Sequence, residues 1–295
     1  MPSLPELHLA DWRPTADTLH LYCQIVGKMR LASTPPCNHW WNVPLYVDVR
    51  GLTTRRLHHE GGTFDISFDF VDNALVVRVA DGRTRSFSLG SSVARFDAQL
   101  HDTLRSLGVD VQIREKPYGV PMRTPFPQDD EHSAWDLDAV RRFHRVLDWT
   151  DAVFEEFRGR FNGKSSPVHL FWHSFDLAMA RFSGRPAPPR EGNAVEREAY
   201  SQEVIAFGFW PGDDAVPEAS YYSYTSPEPA SLRDEPLAVG EWAPSGEGSL
   251  ALLGYEDVRT AADPKQTLLA FLESAYEAGA RAADWDTQAF AWAPA

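Results

Sequence analysis

Between residues 62 and 89 the chain keeps a period of two. Phe64, Ile66, Phe68 and Phe70 alternate with Asp65, Ser67 and Asp69, then Asp72-Asn73 turns the chain into Leu75-Val76-Val77-Arg78-Val79, and Asp81-Gly82 turns it again. Such a run can only be a half-buried antiparallel meander, and its apolar face needs a cover. Four stretches with helical spacing supply one. Residues 17–30 place Leu19, Tyr22, Cys23, Val26 and Met29 on one stripe behind Asp17, and residues 92–107 run between the cap residues Ser92 and Gly108. Residues 137–160 carry Val140, Phe143, Leu147, Phe154 and Phe157, and residues 263–279 open with Asp263-Pro264, an N-cap followed by proline. Further strands are expected at 40–50, 168–182, 200–210, 219–225 and 249–255. The stretch 168–182 also fits a helical stripe through Phe171, Phe175, Met179 and Phe182. The fold class is α+β, mainly antiparallel sheet with about four helices.

The order helix, strands, helix occurs twice, which divides the chain into an N-terminal half over 1–116, a Pro-rich linker over 117–134 and a C-terminal half over 135–295. Residue matches accompany it. Pro36, Trp41 and Arg50 recur at the same offsets as Pro167, Trp172 and Arg181, each set with a histidine close by. An aromatic-rich chain also produces such matches by composition. If the halves are related, the cleft between them is the natural ligand site. Segments 184–198 and 226–248 read as loops.

Charge and composition narrow the function classes. The 295 residues carry 28 Lys plus Arg against 42 Asp plus Glu, net −14, and a surface of that sign repels a phosphate backbone. Residues 190–295 hold most of the excess, so an acidic docking surface stands beside simple solubility as a reading of that third. The first fourteen residues lack the apolar run of a signal peptide, and no stretch approaches the ~20 apolar residues of a membrane span. Cys23 and Cys37 form no CxxC pair; two reduced cysteines fit a cytoplasmic protein.

Several residues could carry chemistry. His39-Trp40-Trp41 places a residue suited to proton transfer beside two large rings, although adjacent tryptophans also serve plain packing. His169 and His173 form an HxxxH with Asp176 beyond. On a helix the pair could share a metal ion, whereas on a strand they sit about 13 Å apart, too far for one ion. The strand reading is preferred, and no metal site is assigned; a metal-dependent alternative would pool His39, His169 and Glu203. Glu203 borders an apolar strand, where a carboxylate can gain a raised pKa or simply face water. Tyr200 and the alternating rings Tyr222 and Tyr224 suit a polar planar ligand. Arg50, Arg181 and Arg185 with Lys28 and Lys164 could meet an anionic group or be salt-bridged. No GxGxxG, Walker loop or GxSxG occurs, so the cofactor is left unassigned.

The segments Pro35-Pro36-Cys37-Asn38-His39-Trp40-Trp41, Arg50-Gly51-Leu52-Thr53-Thr54 and Ser166-Pro167-Val168-His169, the last continuing to Arg185-Pro186, resemble a bacterial family of about this length known only as a domain of unknown function. The resemblance runs over nearly the whole chain. It implies a bacterial, cytoplasmic protein and contributes no activity.

The functional expectation therefore rests on the residues themselves. It is a small-molecule-binding protein, with enzyme activity left open, whose aromatic-lined pocket presents His39, His169 and Glu203 with Trp40, Trp41, Trp172, His173, Asp176, Arg50, Arg181, Tyr200 and Tyr222. The alternative from another class is a protein-interaction module using the acidic C-terminal third.

Overall fold

The computed structural model describes residues 3–291 except 215 and 247. The chain runs through helix α1 (Leu9–Ser33), a short 3-10 turn (Asn38–Trp40) and strands β1 (Tyr46–Asp48), β2 (Gly51–Thr53), β3 (Leu57–His59), β4 (Gly62–Asp69), β5 (Ala74–Val79) and β6 (Thr84–Ser88) to helix α2 (Val93–Ser106). After helix α3 (Leu137–Gly159) come β7 (His169–Phe171), β8 (Asp176–Pro186), the short helix α4 (Ala194–Ala199), β9 (Gln202–Trp210), β10 (Ser220–Ser226), β11 (Glu241–Ser245) and β12 (Gly248–Gly254), then helices α5 (Tyr255–Thr260) and α6 (Pro264–Ala282). All strand pairs are antiparallel. They form one sheet in the order β1-β2-β4-β5-β6, with β3 also on β4, and a second in the order β11-β12-β10-β9-β8-β7. The α+β reading holds, with four helices of 14 or more residues and two short ones among the described residues.

The meander forms as its alternation requires. Phe64, Ile66 and Phe68 are buried with Leu75 and Val77, while Asp65 and Arg78 pair across the opposite face. Phe96 of α2 stacks on Phe68 and meets Phe87 edge-on, closing the apolar side. In the second sheet Leu177, Met179, Ile205, Phe207, Phe209 and Tyr221 point one way and are buried. Helix α3 covers this side through Phe157 against Phe207 and Phe154 against Tyr221, and α6 through Gly279 against Ile205. The other side of that sheet, with Ala178, Ala206, Gly208, Tyr222 and Tyr224, faces away from these helices.

Several boundaries differ from expectation. Helix α1 starts eight residues earlier than the amphipathic stripe suggests and runs through Pro14, where the Thr18 hydroxyl donates to the Pro14 carbonyl at 2.9 Å. Its middle is buried on every side, from Leu21 to Arg30 without a break, so a one-sided stripe cannot mark its ends. The expected strand 40–50 shrinks to Tyr46–Asp48, because His39 and Trp40 adopt left-handed backbone that no strand accommodates. Residues 168–182 are neither one strand nor a helix. They form the β7–β8 hairpin, folded at Phe175, which is also left-handed. The expected loop 226–248 contains β11, an edge strand that tolerates Pro244 because its outer backbone needs no partner. The expected loop 184–198 holds the end of β8 and most of α4.

In each half a long helix precedes the strands and another helix follows them. The first strands of the two runs meet at Leu45 and Leu170, which exchange backbone hydrogen bonds of 2.9 and 2.8 Å and join the sheets edge to edge. The matched tryptophans do not occupy matching places: Trp41 lies four residues before this bridge and Trp172 two after it. The Pro-rich segment packs on α1, where the Gln24 side chain accepts from the Tyr118 amide at 2.8 Å and donates to its carbonyl at 2.9 Å.

Gly27 lets α1 approach the β7–β8 turn. A Cβ there would lie 2.1 Å from the indole of Trp172. In an isolated helix Gly→Ala stabilises by about 1 kcal/mol. Here overpacking dominates, and Gly27→Ala is expected to cost about 1–3 kcal/mol in urea unfolding. A midpoint equal to or above the wild type would contradict this packing.

Candidate functional site

The segment after α1 is stiffened by Pro35-Pro36 and locked by Asn42, whose side-chain oxygen accepts from the Cys37 amide at 3.3 Å and whose amide group donates to Thr34 Oγ1 at 3.4 Å. Within this lock His39 and Trp40 have φ of 53° and 59°. Successive left-handed residues that are not glycine cost about 1–3 kcal/mol each and concentrate at functional positions. The turn is clasped by α4. Its Glu198 carboxylate accepts from the His39 amide at 3.1 Å, and its Val195 carbonyl accepts from Trp40 Nε1 at 3.1 Å. Asn193 and Glu196 form a capping box that holds α4 in shape.

The His39 imidazole is 5% exposed and has both nitrogens engaged. Nδ1 lies 3.1 Å from the Ala199 carbonyl, which can only accept, so Nδ1 carries the hydrogen. Nε2 lies 2.8 Å from Lys164 Nζ, and an ammonium can only donate, so Nε2 is bare. Both contacts select one neutral tautomer. Burial, and then the Lys164 charge, hold the imidazole below its ordinary pKa. Lys164 is also lowered by burial, with Glu198 acting in the opposite direction.

Lys164 is aimed by its surroundings. Its carbonyl accepts from the Phe182 amide at 2.9 Å, which lays residues 164–166 beside β8, and its ammonium donates to Gln202 Oε1 at 2.9 Å. The rings of Phe182 and Trp41 stand 4.8 and 5.4 Å from Nζ, and His39 packs on Phe182 at 4.5 Å. His39, Trp41 and Lys164 therefore meet, contributed by segments 125 residues apart.

Along the same side of the second sheet, opposite α3 and α6, lies another polar group. The Tyr222 hydroxyl donates to Asp176 Oδ2 at 2.5 Å, and Ser174 donates to the other carboxylate oxygen. Tyr222 stacks with Tyr224, whose hydroxyl is 3.1 Å from that of Tyr200. Gly208 makes room for the Tyr222 ring, since a Cβ there would fall 2.3 Å from its hydroxyl. Burial first, and then the Asp176 charge, push the Tyr222 hydroxyl well above its ordinary pKa, so it remains a donor. Asp176 and Phe182 lie six positions apart in β8, about 20 Å of strand with Ala178 and Ala180 between.

The other expected residues lie apart. His169 is 1% exposed in β7, against Phe171 and Tyr46, and Nδ1 has no partner. Burial, and then Arg30 and Arg55, depress its pKa to about 3. Glu203 points to the side of β9 opposite Gln202, where it pairs with Arg185 at 2.7 Å and accepts from Ser183 at 2.9 Å. Trp172 donates from its indole to the Val43 carbonyl at 3.0 Å and lies under Lys28. His173 touches Phe171 and Tyr118, and burial lowers its pKa against the pull of Asp176. Arg50 is an exposed partner of Asp69 and Asp72 on the first sheet, and Arg181 is buried on the Phe157 ring at 3.5 Å. Among the described residues no three His, Cys, Asp or Glu side chains converge to hold a metal ion. Two surface cavities, of about 320 and 390 Å³, lie away from His39.

Glu198 and Gln202 went unnoticed as sequence. Glu198 lies in a stretch read as loop, and Gln202 is distinguished from Glu203 only by which way the strand turns it.

The match to known proteins carries no activity. The model of DUF5996, described as a family of unknown function, matches residues 4–292, and the chain belongs to that family. No curated protein and no solved structure matches it. No helix among the described residues is long and apolar enough to cross a membrane.

His169 and His20, both away from the His39–Lys164 contact, give the fold a pH signature, since burial also lowers His20 to about 4. An imidazole whose folded pKa lies below its unfolded 6.5 binds its proton more readily in the unfolded chain. Stability is therefore expected to fall as pH drops below 6.5, by up to about 1.4 kcal/mol per pH unit for each such group, down to about 4 for His20 and about 3 for His169. Urea unfolding of His169→Leu should show a shallower decline across that window, and an unchanged slope would contradict a buried neutral His169.

Proposed function

We propose that this member of DUF5996 binds a small planar molecule bearing an anionic or carbonyl oxygen, on the side of the second sheet opposite α3 and α6, and that the His39–Lys164 pair holds and moves a proton there. The observation that carries this reading is the 2.8 Å contact between His39 Nε2 and Lys164 Nζ, made at a turn with two successive left-handed residues. Lys164 is the natural partner of the ligand oxygen, and Trp41 and Phe182 offer ring faces beside it. When Lys164 turns to the ligand, Nε2 is released as a base within reach of it. Small residues at 178, 180, 206 and 208 keep this side of the sheet flat beneath the rings of Tyr222 and Tyr224, whose hydroxyls are further hydrogen-bonding groups beside the pair.

Access runs past α4. It is tied to the 38–40 turn by the three contacts of Glu198, Ala199 and Val195, and all of these can be remade after a short excursion. Whether the ligand is turned over depends on the pair acting as acid and base, so binding and turnover have separate readouts.

Thermal unfolding with benzoate and phenylpyruvate as probes tests the proposal. A ligand at 100 times its Kd stabilises by about 2.7 kcal/mol. The expected result is a rise in Tm for the wild-type protein that is lost in Lys164→Met and His39→Gln. Equal rises in wild type and both variants would refute the assignment, and so would no rise with either probe at saturating concentration.

A further inference from the structure

The 390 Å³ cavity lies on the outer, polar side of the first sheet and does not involve the His39 site. Its size is in the range of small-molecule sites, about 300–1,000 Å³. Thr53, Thr63 and Ser67 line it with hydroxyls, and Arg55, Arg56 and Arg78 with guanidinium groups. Arg78 is already engaged, donating to Asp65 at 2.8 Å and to Ser67 Oγ at 3.2 Å. Arg55 and Arg56 are not: among the described residues neither has a carboxylate at ion-pair distance.

Arg55 is held in place without a counter-charge. Its backbone is left-handed at φ 54°, its amide donates to Thr53 Oγ1 at 3.0 Å, and its guanidinium lies on the Tyr46 ring at 3.5 Å. Behind it stands a second uncompensated cation. Arg30 of α1 is 7% exposed, lies 5.3 Å from the same ring, and donates to the Thr54 carbonyl, between two residues of the cavity wall. Arg30 Nε has no acceptor. The negative groups here are Asp48 and Asp65 in the wall, and Asp151 on α3, which feels Arg55. Three unpaired guanidinium groups around residues 53–56 stand out in a chain of net charge −14. Arg55 and Arg56 are exposed at the cavity mouth with no carboxylate to quench them, and the buried charge of Arg30 behind them adds to the positive potential there.

We infer that this cavity binds the phosphate group of a phosphorylated small molecule, with Arg55 and Arg56 clasping its oxygens and the threonine hydroxyls donating to them. Guanidinium forks match tetrahedral oxyanions, and the hydroxyls add donors of variable direction. Arg30 acts from behind, raising the local potential and fixing the Thr54 carbonyl.

Calorimetric titration with pyrophosphate at low salt tests this, with citrate as a carboxylate comparison. Pyrophosphate is expected to bind the wild-type protein more tightly than citrate. Arg56→Gln, which removes a side chain with no packing role, and Arg55→Gln should each weaken it about tenfold. Arg105→Gln, on α2 and paired with Asp102, should leave it unchanged, and so should Lys164→Met in the other site. Absence of heat with pyrophosphate, tighter binding of citrate, or equal affinity in Arg56→Gln and wild type would overturn the inference. None of these results bears on the His39 site.

Discussion

The fold depends on burying the middle of α1 on all sides. From Leu21 to Arg30 the helix shows no face to water, so its polar side chains there find their partners within the protein, and each partner places another part of the chain. Gln24 pairs with the Tyr118 backbone and so pins the Pro-rich segment. Arg30 takes the Thr54 carbonyl and sets the end of β2. Lys28 lies over the rings of Phe126 and Trp172, and Gly27 beside it admits the Trp172 indole. Trp172 in turn holds the Val43 carbonyl, just after the His39 turn. The strained backbone at His39 and Trp40 is thus bounded by a buried helix on one side and by α4 on the other.

How much of this was legible from the residues depends on whether the signal was local. The meander was readable because one side of β4 and β5 is wet and the other dry, so burial repeats with the side chains. Helix α2 was readable for the same reason, with Ser92 accepting from the Arg95 amide as its cap. Helix α1 was half hidden, since a stripe is a poor guide to a helix buried all round. The His39 turn was hidden altogether, because left-handed histidine and tryptophan follow from tertiary contacts and not from propensity. His39 and Trp41 read from the sequence as chemistry-bearing residues, and Lys164 as a cation. Their meeting was not foreseeable, for nothing in sequence marks a contact across 125 positions. His169 and Glu203 looked similar to His39 on paper, but strand alternation turned one into the core and the other toward Arg185.

Charge in this chain is unevenly settled. Some acidic side chains of the C-terminal third are paired internally, as Glu235 with Arg281, Glu273 with Arg160 and Glu256 with Arg259. Exposed pairs of this kind contribute little to stability, about 0–1 kcal/mol each. Cations are treated differently. Lys164 faces a neutral imidazole, and Arg30 and Arg55 face an aromatic ring, so these charges are held by dipoles and π systems. Such arrangements keep a cation available for an incoming anion, which a carboxylate partner would quench.

His39 is a neutral imidazole, protonated at Nδ1, with Nε2 directed at the Lys164 ammonium. Nitrogen-15 NMR of the histidine side chains reads this directly, since the two ring nitrogens report tautomer and charge separately. The account predicts Nδ1–H with bare Nε2 at neutral pH, persisting below the ordinary imidazole pKa of about 6.5, and an upward shift of the titration in Lys164→Gln. An Nε2–H tautomer, or an imidazolium already formed at neutral pH, would contradict it.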